Sequence, residues 1–254
     1  MHPVVITALG VGGATVVGAL LGFLFKNPSH RFNDIILSFA AGVMLAAAVI
    51  GLVLPSIDYG NGAWWSILVT AAGILCGALC LNFVDRLVPH LHKMIGSDIE
   101  KHPDKTAQFN KVMLFVIAIA IHNLPEGIAA GVSFGVGDVG QAVTVAGGIA
   151  LQNIPEGMII IAPMIASGVS KRKTFLIALA TGVIEVIGTF LGFFAVSVSV
   201  AILPFALAFA GGTMIYVISD EMIPETHSHG SERAATYSLL FGFILMLALD
   251  FVLG

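Results

Sequence analysis

Long apolar runs, each closed by a short cluster of turn-forming or charged residues, repeat along the whole chain. A helix needs about 20 apolar residues to cross the hydrocarbon core of a bilayer. Eight stretches reach that length: roughly 3–25, 34–55, 63–84, 111–135, 141–167, 174–198, 200–220 and 234–253. Between them lie KNPSHRFND, SIDYGNG, GVGDVGQ and SGVSKRK, rich in residues that favour turns. The break between the sixth and seventh stretches, VSVSVAILP, is nearly apolar and is marked by Pro204. The pattern predicts an all-α polytopic membrane protein: eight transmembrane helices in one domain over 1–254, with one long hydrophilic stretch at 86–110.

Composition agrees. Hydrophobic residues make up 57% of the chain and charged residues 10%, against about 25% charged in soluble domains; the mean hydropathy is +1.00. Cys76 and Cys80 share one apolar run and read as small core residues rather than a disulfide. No basic segment and small-residue cleavage site open the chain, so residues 1–25 are expected to be a span and not a removed leader. With a net charge of −4 and no basic stripe, nucleic acid is excluded as a partner.

Charge placement orients the spans. All eleven Lys and Arg residues fall in alternate connections. Lys26 and Arg31 follow the first span; Arg86, Lys93, Lys101, Lys105 and Lys111 the third; Lys171, Arg172 and Lys173 the fifth; and Arg233 the seventh. The opposite face carries Asp58 and Asp138. Basic connections stay in the cytoplasm, so both termini are expected outside it, with the chain in the cell (inner) membrane. A missed break would spoil this clean partition.

Against that background, HNLPEG at 122–127 and QNIPEG at 152–157 stand out. A carboxylate near the bilayer centre costs at least about 2.5–3.5 kcal/mol. Glu126, Glu156 and Glu185 nevertheless lie near the midpoints of their spans, with His122 and Met44 at the same depth. Four residues apart on a helix, His122 and Glu126 are separated by about 40°; three apart, Asn123 and Glu126 are separated by about 60°. Glu126 can share a ligand set with His122, with Asn123, or with both. Gln152, Asn153 and Glu156 repeat the arrangement on the next span, which runs the other way. Facing each other, the two motifs would make adjacent cation sites bridged by two carboxylates.

Pro125 and Pro155 free the carbonyls of Ile121 and Leu151. Broken helices in antiparallel copies are how secondary transporters build midplane sites. Gly127 and Gly157 would let neighbouring helices approach. Imidazole, thioether and carboxylate together favour zinc(II), cadmium(II) or iron(II) over calcium or magnesium, which take oxygen alone. Taken singly, Met44 reads as a packing residue before a ligand. Glu185 stays open between ligand, proton carrier and partner of a helix end. His90, His92 and His102 in the long connection, and His227 and His229 in SDEMIPETHSHGSER, are either solvated or a place of metal capture.

HNLPEGIA and QNIPEGMIIIAP resemble the Zrt-, Irt-like (ZIP) family of divalent metal transporters, especially its bacterial GufA-type branch. FAAGVMLAA at 39–47, TGVIEVIGTFLG at 181–192 and SDEMIPETHSHG at 219–230 extend the likeness over essentially the whole chain. The resemblance implies a ZIP-type fold with inverted three-helix repeats around the fourth and fifth helices. It also implies a homodimer and elevator-like import of zinc, with manganese(II) among the related cargoes. One site would use Met44, His122, Glu126, Gln152 and Glu156. Its neighbour would use Asn123, Glu126, Asn153, Glu156 and Glu185. Two positions depart from the pattern: many members have histidine where Gln152 stands, and some have aspartate where Asn153 stands.

The expected activity is transport of zinc or a related divalent metal into the cytoplasm, with metal ions and lipid as partners and no catalytic cofactor. Channel-like permeation is the alternative within transport, and a metal-sensing or structural membrane protein without flux is another. An intramembrane metalloenzyme is disfavoured, because H-E-x-x-H is missing and no spare base stands beside an open metal position.

Overall fold

The computed structural model describes residues 2–25, 28–61, 63–87, 105–137 and 139–253. His90, His92, His102 and Asp138 lie outside the described residues. The described chain has no strand and forms eight helices: α1 His2–Gly22, α2 His30–Asp58, α3 Trp64–Leu87, α4 Lys105–Ser133, α5 Val139–Ala166, α6 Lys171–Val198, α7 Leu203–Thr226 and α8 Glu232–Leu253. Among the described residues seven of these are long and apolar enough to cross a membrane. The remaining one, α4, has 29 residues and packs in their midst.

Several helices outrun the apolar stretches that announce them. α4 begins at Lys105, inside the stretch expected to be a loop, and α7 continues to Thr226. Arg31, the Lys171–Lys173 run and Arg233 sit in the first turns of α2, α6 and α8 rather than in connections. A helix keeps its own backbone bonded beyond the hydrocarbon, and long basic side chains reach water from there. Ser29 caps α2, accepting from Phe32 N–H at 3.2 Å. Just past the end of α5, Gly168 has φ at 86°. There the N–H groups of Gly168 and Val169 bond the carbonyls of Ile165 and Met164, a left-handed ending that suits glycine.

Packing is that of an inverted repeat. α1 lies against α5 and α6, and α4 against α6; α2 lies against α8, and α3 against α7. Exchanging α1 with α6, α2 with α7, α3 with α8 and α4 with α5 returns the same pairs. The register repeats too. A Cβ added at Gly42 would strike the carbonyl of Leu239, and one at Gly212 that of Ile74. Gly157 abuts Thr15 where Gly127 abuts Glu185. Thr15 and Glu185 are 170 positions apart, the same interval as Gly42 to Gly212 and Met44 to Met214.

The irregularities follow this symmetry. α2 is π-helical at Ala47–Val53 and α7 at Ile218–Met222. Leu54 N–H bonds the Val49 carbonyl and Ile223 N–H bonds that of Ile218, each reaching one residue further back than in an α-helix. Pro55 and Pro224 come next. The π turns re-pair the backbone around carbonyls those prolines cannot bond. α4 and α5, in contrast, run unbroken through Pro125 and Pro155. The breaks expected at the two motifs are therefore found in the neighbouring helices instead. Met44, Ala129, Ile149 and Met214 belong to one central apolar cluster, while Leu75, Leu79, Phe241 and Ile244 on α3 and α8 face outward.

Candidate metal centre

Small residues bring the polar ones together. Because Gly127 has no side chain, α4 lies directly on the backbone of α6 at Glu185; Gly157 does the same for α5 and α1 at Thr15. The middles of four helices therefore converge. Met44, Asn123, Glu126, Gln152, Asn153 and Glu185 are each at most 1% exposed, and His122 and Glu156 are 8% exposed.

Glu185 is the most heavily hydrogen-bonded of the carboxylates. Thr15 Oγ1 donates to its Oε1 at 2.7 Å, and the Asn123 amide donates to the same oxygen. Asn153 Nδ2 donates to Oε2 at 2.6 Å and reaches the Val11 carbonyl at 3.2 Å. Three helices thus supply donors to one buried acid. Glu126 Oε1 accepts from Gln152 Nε2 at 2.7 Å, joining α4 to α5. Glu156 lies within electrostatic range of His122, Glu126 and Glu185.

The other ends of these groups decide the chemistry. Asn123 Oδ1, Glu126 Oε2, Gln152 Oε1 and Asn153 Oδ1 are buried acceptors without a hydrogen-bond partner among the described residues. One such oxygen costs about 1–3 kcal/mol. Acceptors cannot satisfy each other, and a cation is one kind of group that would serve such oxygens. The donor set fits a divalent metal: carboxylate and amide oxygens with one imidazole. Among the described residues no three His, Cys, Asp or Glu side chains gather around one point.

Met44 lies in the apolar cluster with Val11, Ala129 and Ile149, which surround the two motifs. His122 also reaches α7, with its Nε2 2.9 Å from Glu221 Oε1. Two residues of this centre escape sequence reasoning. Glu221 falls in what reads as a loop, and only the continuation of α7 to Thr226 carries it inward. Thr15 is one hydroxyl in an apolar run; its signal was the interval of 170 to Glu185.

A family model described as ZIP Zinc transporter matches residues 90–250. The chain is 40% identical to the zinc transporter GufA of Myxococcus xanthus over 98% of both chains. It is 39% identical to the zinc transporter ZIPB of Bordetella bronchiseptica, over 95% of this chain and 78% of the relative. It is 30% identical to the zinc transporter ZIP11 of Homo sapiens, over 95% of this chain and 94% of the relative.

Proposed function

The chain belongs to the ZIP zinc transporter family, and on that premise we propose that it carries zinc(II), or a related divalent transition metal, across the bilayer into the cytoplasm. The observation that carries this reading is the set of four unpartnered acceptor oxygens on the opposed motifs of α4 and α5. In our reading Glu126 and Glu156 bridge two adjacent ion positions. Met44, His122 and Gln152 complete one, and Asn123, Asn153 and Glu185 complete the other. In the arrangement described, amide N–H groups rest on the carboxylates. An arriving ion turns each amide over, so that its carbonyl oxygen faces the metal; one torsion converts donor to acceptor.

The packing suggests how the ion moves. All three acids lie on α4, α5 and α6, which pack with α1 as one group. Met44 and Glu221 belong to the group of α2, α3, α7 and α8. Sliding the first group against the second would carry the ion and part His122 from Glu221, an elevator-like alternating access. The basic helix ends of α2, α6 and α8 mark the cytoplasmic face.

The test is uptake into liposomes across a panel of divalent metals, with Glu126→Ala and Glu156→Ala alongside the unaltered protein. Metal-selective uptake that both substitutions abolish is the expected result. No uptake by the unaltered protein, or full uptake by both variants, overturns the proposal.

A further inference from the structure

A groove runs along the boundary between the two packing groups. Ile36 and Phe39 of α2 and Ser238 and Phe241 of α8 form one wall, and Ile154 and Met158 of α5 form the other. Its volume is about 420 Å³, within the range of about 300–1,000 Å³ usual for ligand pockets. The lining is almost wholly apolar. Its hydroxyl, on Ser238, is already satisfied: Oγ donates to the Ile35 carbonyl at 2.6 Å. The rings of Phe39 and Phe241 stand 6.1 Å apart between centroids, and Phe241, 63% exposed, faces outward at the rim. All three helices are long and apolar enough to span the bilayer. The groove therefore opens into hydrocarbon, and an apolar chain is what fits it.

Charge beyond the groove marks the kind of chain. On α2, Arg31, Ile35 and Phe39 follow at intervals of four, and on α8 Arg233, Tyr237 and Phe241 do the same. Residues four apart share a helix face. Each of these helices thus leads from an arginine near its end to an aromatic ring at the groove, about 12 Å further in. Both arginines are exposed, and neither forms an ion pair among the described residues. Tyr237 is 74% exposed, as aromatic residues are where hydrocarbon meets headgroups. A guanidinium matches phosphate with two parallel N–H donors. Cation, boundary aromatic and apolar groove come in the order of an anionic phospholipid read from headgroup to chain.

We propose that this groove holds one acyl chain of an anionic phospholipid, from the leaflet at the basic helix ends, with the phosphate on Arg31 and Arg233. A chain there lies between α5 and the pair α2 and α8, across the boundary where one group slides on the other. Its part in that movement rests on the transport reading; its existence as a lipid site does not.

The probe is a phospholipid with a diazirine midway along one acyl chain, made with either a phosphatidylglycerol or a phosphatidylcholine headgroup. The full chain is reconstituted in liposomes holding a trace of one or the other and illuminated, and labelled residues are located by mass spectrometry. Label at Met158 and Phe241 should exceed, several-fold, that at Leu75 and Leu79, which face outward on α3. Phosphatidylglycerol should label the groove more than phosphatidylcholine does, and Arg31→Gln with Arg233→Gln should abolish that preference. Ile36→Trp fills the groove and should cut the label at Met158 several-fold while α3 stays unchanged. Met158→Trp, read at Phe241, serves if the first variant does not fold. Groove label no greater than that on α3, as a second copy seated on the groove would give, overturns the site. So does groove label that the tryptophan leaves unchanged. Equal labelling by the two phospholipids overturns the assignment to an anionic lipid. Liposome uptake keeps the readings apart: uptake without groove label sinks only the lipid site, and groove label without uptake sinks only the transporter reading.

Discussion

Thr15 Oγ1 donates to Glu185 Oε1 at 2.7 Å, across 170 positions of sequence. The two residues hold equivalent places in the two halves of the inverted repeat. One half supplies a buried carboxylate, and the other supplies the hydroxyl that holds it. The fold is symmetric about the centre while the chemistry is not.

Removing that hydroxyl should be felt by the metal. Thr15→Val keeps the shape and deletes the donor. A hydrogen bond to a charged group contributes about 1.5–3 kcal/mol, of which Asn123 and Asn153 will retain part by holding Glu185 themselves. The expected result is roughly tenfold weaker zinc binding by equilibrium titration, restored by Thr15→Ser. Equal affinity in Thr15→Val would mean the two amides orient Glu185 unaided.

Asn153→Asp tests the second ion position. Asn153 now donates to Glu185 Oε2 at 2.6 Å; an aspartate would set carboxylate against carboxylate. Without metal that should lower stability by about 3 kcal/mol, and a bound ion should offset the repulsion. Thermal unfolding with a chelator and with excess zinc should show a larger metal-induced rise in Tm than the unaltered protein shows. A rise no larger than before would remove position 153 from the ligand set.

Gly127 and Gly157 should be intolerant for a plain steric reason. A Cβ at Gly127 overlaps the Glu185 backbone, and one at Gly157 overlaps that of Thr15. Gly127→Ala and Gly157→Ala should each cost about 1–3 kcal/mol and also impair metal binding, because the helix pairs they separate carry the acids. Gly13→Ala is the control: a Cβ there has open space, so stability should stay the same or rise slightly. Three equal Tm values would contradict the packing described.

The eight helices and the burial of the three acids were legible because both rest on strong terms: about 20 apolar residues per span and the cost of a carboxylate in hydrocarbon. Signals that leave hydropathy unchanged were not. The π turns before Pro55 and Pro224 lie in wholly ordinary helix sequence on one side and among acids on the other. The motif prolines read as breaks, yet α4 and α5 continue as helix through them. Glu221 reads as loop because hydropathy falls at 220, whereas the helix continues to Thr226. Thr15 carries no charge, and only its interval to Glu185 marks it.

In the proposed site, His122 is a ligand with a competitor. Its Nε2 is 2.9 Å from Glu221 Oε1, and the proposed metal would compete with Glu221 for the ring. Glu221→Gln replaces a charge-assisted contact by a weaker neutral one, a loss of about 1 kcal/mol. Zinc should then bind the midplane centre roughly fivefold more tightly. Release should become harder, since Glu221 no longer draws His122 back. Liposome kinetics should accordingly show KM and the maximal rate falling together. Weaker binding in Glu221→Gln would identify Glu221 as a metal ligand in its own right and not a competitor for His122.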